Sequence, residues 1–246
     1  MKEETADQTH YSEKMSLSDL ADRLNRLMGE SIAKHLMIKE TERFGVMDIY
    51  LLRHGETDWN LKGRLQGHED IDMNPKGIMQ IEKAAEIFAG FSKNVDVIIS
   101  SPLARARKSA EIVADRLDYK TEDIVTEPLF IERGFGLGEG LDYEERKKRF
   151  TDDTYPGMEP LEELIERAGL ALDTILKKYN DQNVIIAAHG AILKALLTAV
   201  TEGKIVYEGD SVKVEPGSIH LIRYEKGKAA LFQWNKDTSD FTEIKY

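Results

Sequence analysis

Short apolar runs that alternate with helical stretches constrain this chain more than any other feature of its sequence. Asp48–Leu52, Val95–Ser100 and Asn183–Ala188 read as strands buried on both faces, the pattern of a parallel sheet. Asn74 and Pro75 supply an N-cap and a first helical residue for a helix running through Phe88. Ser101-Pro102 opens a second helix that extends to about Asp115. Pro160–Tyr179 carries Leu161, Leu164, Ile165, Ala168, Leu172, Ile175 and Leu176 on one stripe, and Ala191–Val200 is a further helix. Between them, Thr121–Val125 reads as a short strand and Tyr143–Phe150 as a charged helix. Ser218 to Trp234 reads as a hairpin turning at Glu225–Lys228. This alternation predicts an α/β fold, a three-layer α/β/α sandwich around a mostly parallel sheet.

The 246 residues suit one such domain with an appendage. Residues 1–46 form an N-terminal polar and helical extension, and 47–246 form the catalytic domain. Within the extension, Leu17, Leu20, Leu24, Leu27, Met28, Ile32 and Leu36 recur at helical spacing. That stripe has to be buried, either on the domain or in a homodimer. No run approaches the length of a membrane span, and the first residues are polar and mixed in charge, unlike a secretory signal. The chain has no cysteine, which removes disulfides and thiolate metal sites and suits a reducing, cytoplasmic setting. Its net charge of −11 repels nucleic acid and anionic lipid, so neither is expected as a partner. A site for an anionic substrate must then gather its cations locally.

In open α/β sheets ligands bind beyond the carboxyl ends of the strands. Three strand-to-helix turns answer to that position: Leu52-Arg53-His54-Gly55-Glu56-Thr57, Ser100-Ser101-Pro102-Leu103-Ala104-Arg105 and Ala188-His189-Gly190-Ala191. Each puts a His or Arg at a strand end, and two follow the His with a glycine that permits a close turn. Helix starts at the same places are expected to aim unpaired N–H groups at a ligand. Two histidines, two arginines and these helix ends suit a tetrahedral phosphoryl group. A metal site is disfavoured, because arginines flank both histidines and no His-x-x-x-His or His-Glu-x-x-His pair occurs. No cofactor is expected.

Leu51-Leu52-Arg53-His54-Gly55-Glu56-Thr57-Asp58-Trp59-Asn60 resembles the signature of the histidine phosphatase superfamily, in its phosphoglycerate mutase-like branch. Further matches follow in order: Arg64-Leu65-Gln66-Gly67, Ser101-Pro102-Leu103-Ala104-Arg105-Ala106, Glu132 ahead of Phe135-Gly136 and Glu139-Gly140, and His189-Gly190. An ordered set is far more specific than any one short motif.

The resemblance implies a metal-independent phosphomonoester hydrolase that forms a phosphohistidine intermediate on a small phosphorylated metabolite. His54 would be the nucleophile, and Arg53, Arg105 and His189 would hold the phosphoryl oxygens. Glu132 would give a proton to the leaving oxygen, and the apolar Leu129-Phe130-Ile131 before it would desolvate it. Glu139 is the rival for that role. Asn60, Gln66, Gly67 and Gly190 would line the substrate pocket, and His68 is a further candidate. The alternatives are a phosphoglycerate mutase or a non-catalytic phosphate-binding module. The short segment between Glu132 and His189 favours the phosphatase.

The pattern departs from the family at Gly138, where an aromatic residue is usual, and at Gly157-Met158-Glu159-Pro160 in place of Gly-Glu-Ser. Arg146, Lys147, Lys148 and Arg149 form a basic cluster nearby, read as a solvated helix face.

Overall fold

Seven strands form one sheet in the order β3-β2-β4-β1-β5-β6-β7. They are β1 (Val46–Arg53), β2 (Val97–Ser100), β3 (Val125–Thr126), β4 (Val184–Ala188), β5 (Ile219–Glu225), β6 (Lys228–Asn235) and β7 (Asp240–Glu243). The computed structural model describes residues 46–91, 95–207 and 212–246. The predicted N-terminal extension therefore lies outside the described residues, except for Val46, which begins β1.

Alternate residues of the inner strands face opposite layers, as the two-residue period of a strand requires. Ile49, Leu51, Ile99 and Ile186 belong to one apolar cluster; Tyr50, Leu52, Ile98 and Ile185 belong to the other. Helices α2 (Pro75–Phe91) and α3 (Ala104–Arg116) supply Ile81, Phe88, Ala110 and Val113 to the second cluster. Helices α5 (Leu161–Lys178) and α6 (Gly190–Val200) cover the other face with Leu164, Ile165, Ile175, Ile192 and Leu196. The stripe expected on Pro160–Tyr179 is the buried face of α5. Two shorter helices, α1 (Asp58–Leu61) and α4 (Tyr143–Arg149), bury no residue.

The sheet is not mostly parallel. β1, β2, β3 and β4 pair in parallel, but β5, β6 and β7 join antiparallel to one another and to β1. After α6 the chain returns by hairpins instead of helical crossovers, so those strands run against their neighbours. The expected strand at Thr121–Val125 is a single 3₁₀ turn, Thr121–Asp123, and pairing begins only at Val125. β7 and α1 have no counterpart in the sequence reading. β7 is an edge strand with one partly buried residue, Phe241, whose ring meets Trp234 edge-on at 5.3 Å. The four residues of α1 are too few to show a helical period.

Candidate active site

The register of the sheet brings the three strand-to-helix turns side by side. Arg53 pairs with Ala188 across β1 and β4, and Ser100 pairs with Ala187 across β2 and β4. The backbone continues the match: His54 N–H donates to Ala188 O at 3.0 Å, and Ser101 N–H donates to Ala187 O at 3.0 Å. His54 and His189 consequently leave adjacent strands at one level, with ring centroids 5.2 Å apart.

His54 is buried, and its Nδ1 lies 2.7 Å from Gly55 O. A carbonyl only accepts, so Nδ1 carries the proton and Nε2 keeps its lone pair. Burial, with Arg53 and Arg105 close by, holds this imidazole well below the usual histidine range, so it is neutral and nucleophilic. His189 is equally buried, and its Nε2 lies 2.6 Å from Ser101 Oγ. Burial and then the charge of Arg105 push it down as well.

The loop after β1 rests directly on α2. A β-carbon on Gly55 would collide with the backbone of Gly77, and one on Gly77 with the backbone of Glu56. Two glycines are therefore needed for this approach, which is sealed by Asn74 N–H to Glu56 O at 2.9 Å. Gly67, at φ +53°, turns its carbonyl to accept from Arg105 Nη2 at 3.0 Å. Arg105 Nη1 donates to Glu69 O at 2.7 Å, and Arg53 Nη1 donates to Val214 O at 2.6 Å. Each guanidinium is thus anchored at one end. The Nε atoms of Arg53 and Arg105 and Nδ1 of His189 are buried with no hydrogen-bond partner among the described residues. Buried donors left unpaired are costly, and an anion satisfies all three at once.

Glu132 is buried where α6 begins. Its Oε1 accepts from Arg133 N at 3.0 Å and from Ala191 N and Ile192 N at 3.1 Å each. The carboxylate therefore sits on backbone donors, not in the apolar surroundings expected from Leu129-Phe130-Ile131. Phe130 points into the core instead. Arg167 fixes this segment by donating to Leu129 O and Ile131 O, at 2.7 and 2.9 Å, and to both oxygens of Glu159. Glu159, in the departure from Gly-Glu-Ser, is thus a brace. Glu139 is another: its Oε1 accepts from Phe135 N at 2.8 Å and His68 N at 3.2 Å.

The helix starts are not open to a ligand, contrary to expectation. Glu132 occupies that of α6, and Asp70 Oδ1 accepts from Ala104 N at 2.7 Å at that of α3. Asn74 Oδ1 accepts from Gly77 N in the first turn of α2. An acidic chain has carboxylates and Asx caps at hand for these donors, so anion recognition falls to side chains. Ser101 does not cap α3 either; Leu103 occupies that position without a side-chain bond.

A cavity of about 490 Å³ opens over this group, lined by Arg53, Asn60, Gln66, Gly67, Glu132 and Gly190 among others. Asn60 Oδ1 accepts from Thr57 N at 3.1 Å and Gln66 Oε1 from the Thr57 hydroxyl at 3.0 Å, so both amides keep their NH₂ groups to donate. His68 is exposed and outside the cavity lining, with Nε2 2.9 Å from Glu132 O. The basic cluster of α4 does not line it. A side chain at Gly138 would collide with the ring of Tyr155, which occupies the space where an aromatic residue was expected. The sequence reading missed Arg64, Lys194, Tyr207 and Lys213, which do line the cavity. Lys194 had a signal, being one helical turn beyond Gly190. Tyr207 and Lys213 lie in a stretch without periodicity.

The sequence profile of the histidine phosphatase superfamily, branch 1, matches residues 49–237. The chain belongs to that superfamily. An uncharacterized phosphatase, PhoE, of Bacillus subtilis (strain 168) is 43% identical over 155 residues, spanning 63% of this chain and 78% of that protein. A metal-independent phosphoserine phosphatase of Arabidopsis thaliana is 27% identical over 211 residues, spanning 81% of this chain and 85% of that protein. Among solved structures, Bacillus stearothermophilus YhfR superposes with a TM-score of 0.67 at 24% identity, covering 74% of this chain and 94% of that one, a likeness of fold. The superfamily resemblance seen in the motifs is thereby established. Among the described residues no helix is long and apolar enough to cross a membrane.

Proposed function

We propose that this histidine phosphatase hydrolyses a small phosphate monoester through a phosphohistidine on His54, without a metal ion. The observation that carries the reading is the set of three unpartnered buried donors, Arg53 Nε, Arg105 Nε and His189 Nδ1, around a neutral imidazole. Nε2 of His54 attacks phosphorus while the P–O bond to the leaving group breaks and Glu132 protonates the departing oxygen. Water then attacks phosphorus, Glu132 takes its proton, and the N–P bond breaks to release phosphate. Arg53, Arg105 and His189 bear the charge on the three equatorial oxygens throughout. Cationic neighbours repel a divalent ion from this place, which supports metal-free chemistry.

His54→Ala should abolish turnover with the fold intact, and the wild type should yield an acid-labile, base-stable phosphoenzyme. Robust turnover by the alanine variant sinks the mechanism. A mutase reading has one supporting observation: a probable phosphoglycerate mutase, GpmB, of Proteus mirabilis (strain HI4320) is 29% identical over 205 residues. Release of inorganic phosphate from 3-phosphoglycerate, without formation of the 2-isomer, separates the two.

A further inference from the structure

Outside the buried group at His54, the same cavity opens onto a second set of cations. Arg64 comes from the turn after α1, Lys194 from the second turn of α6, and Lys213 from the segment leading to β5. No carboxylate among the described residues forms an ion pair with any of them. Glu215 lines the same part of the cavity and offsets one charge of the three. Glu132, the other carboxylate there, is held by the α6 backbone. The chain carries 45 acidic against 34 basic residues, so unpaired cations gathered on one cavity are not a by-product of composition.

The wall between the two groups is apolar and aromatic. Phe135 and Tyr207 both line it; the Arg133 guanidinium lies 5.8 Å from the centroid of the first and 5.9 Å from that of the second. Lys194 Nζ lies 6.0 Å from the Tyr207 centroid, which sets the ammonium beside the ring at the cavity edge. The Lys213–Pro216 segment is tied to the inner group, because Val214 O accepts from Arg53. The inner donors and the outer cations thus form one continuous surface with a short apolar stretch between them.

We propose that the outer cations bind a second anionic group of the substrate, a carboxylate or a phosphate, joined by a short stem to the ester phosphate at His54. This rests on the phosphatase reading and extends it by naming the substrate class: phosphomonoesters that carry another anion. Lys194 and Arg64, half-buried, make the stronger contacts, and exposed Lys213 the weaker.

The test compares ω-carboxyalkyl phosphates of increasing chain length with unsubstituted alkyl phosphates of equal length, and terminal bisphosphates form a second arm. At the length that spans the cavity, one of the two doubly anionic series should be preferred by about tenfold in kcat/KM, the scale of a charge-assisted contact. The series that shows the preference identifies the anion. Lys194→Met and Arg64→Met should each shrink that ratio several-fold, through KM more than kcat. Matching alkylphosphonates and ω-carboxyalkylphosphonates, which are not hydrolysed at the P–C bond, give the same ratio as Kd values. The subsite is therefore judged even where no ester is turned over, and turnover of the plain esters judges the phosphatase reading separately. A ratio near one at every length in both arms overturns the proposal. So does a pair of variants that lower doubly and singly anionic ligands by the same factor.

Discussion

Glu132→Gln separates proton transfer from structure because of how the carboxylate is held. Three backbone N–H groups converge on Oε1 at 3.0–3.1 Å, whereas Oε2 has only the shared Ala191 N–H at 3.3 Å. Glutamine retains the accepting oxygen and places its NH₂ where Oε2 was. The lost contact is weak, so the fold should lose no more than about 1 kcal/mol. Turnover is another matter. General acid assistance is worth ~10²–10⁴-fold, or roughly 3–5 kcal/mol of barrier, when the leaving group is a poor one. The variant should hydrolyse an alkyl phosphate that much more slowly while sparing p-nitrophenyl phosphate, whose leaving group departs without a proton. Steady-state kinetics on both esters, with thermal melting as the control for folding, read the difference. Glu132→Ala adds a calibration, since it strips the acceptor from three N–H groups and should lower the melting temperature where glutamine does not. Equal loss on both esters, or a selective loss in Glu139→Gln instead, refutes the assignment.

Other outcomes follow from the same structure. Activity should survive excess chelator; loss on chelation that zinc or magnesium restores would contradict metal-free chemistry. Burial holds His54 and His189 well below the usual histidine range and pushes His220 down to about 4. Below about pH 6.5 the unfolded chain therefore binds protons that the folded chain refuses, and stability falls as pH drops, by up to about 1.4 kcal/mol per pH unit for each histidine. Urea melts between pH 7 and pH 5 that show constant or rising stability would overturn that reading. Orthovanadate should satisfy the buried donors, raise the melting temperature and compete with substrate, and no shift at saturating vanadate would argue against an anion site. Phe88→Ala, which empties a fully buried position between α2 and the sheet, should cost about 3–5 kcal/mol by denaturant melts; a loss under about 1 kcal/mol would contradict the packing.

The inner strands were legible because each is apolar on both faces, which suits only a strand covered by a layer on either side. The antiparallel half was less so. β6 alternates weakly, β7 has Phe241 as its sole partly buried side chain, and the direction of a strand leaves no mark on its composition. At the site, His54, Arg53, Arg105 and His189 could be read because strand ends and glycines mark them. The environment of Glu132 could not, since it depends on α6 arriving from 59 residues away along the chain. The occupied helix starts escaped notice for the same reason, with Asp70 capping α3 from a separate loop.

The pairing of β1 with β4 also fixes when the site can exist. Strand β1 meets β4 between residues 135 apart in sequence, as the bond from Asp48 N to Asn183 Oδ1 shows. Closing so long a loop is entropically uphill and slow compared with the growth of local helices. A chain cut before β4 would hold His54 and Arg105 yet lack His189 and the α6 donors that seat Glu132. In refolding, helical signal should return ahead of catalysis, with activity marking the moment the distant strands meet. An anion that binds only the joined strands would then act as a latch, slowing their separation without touching the steps that precede it.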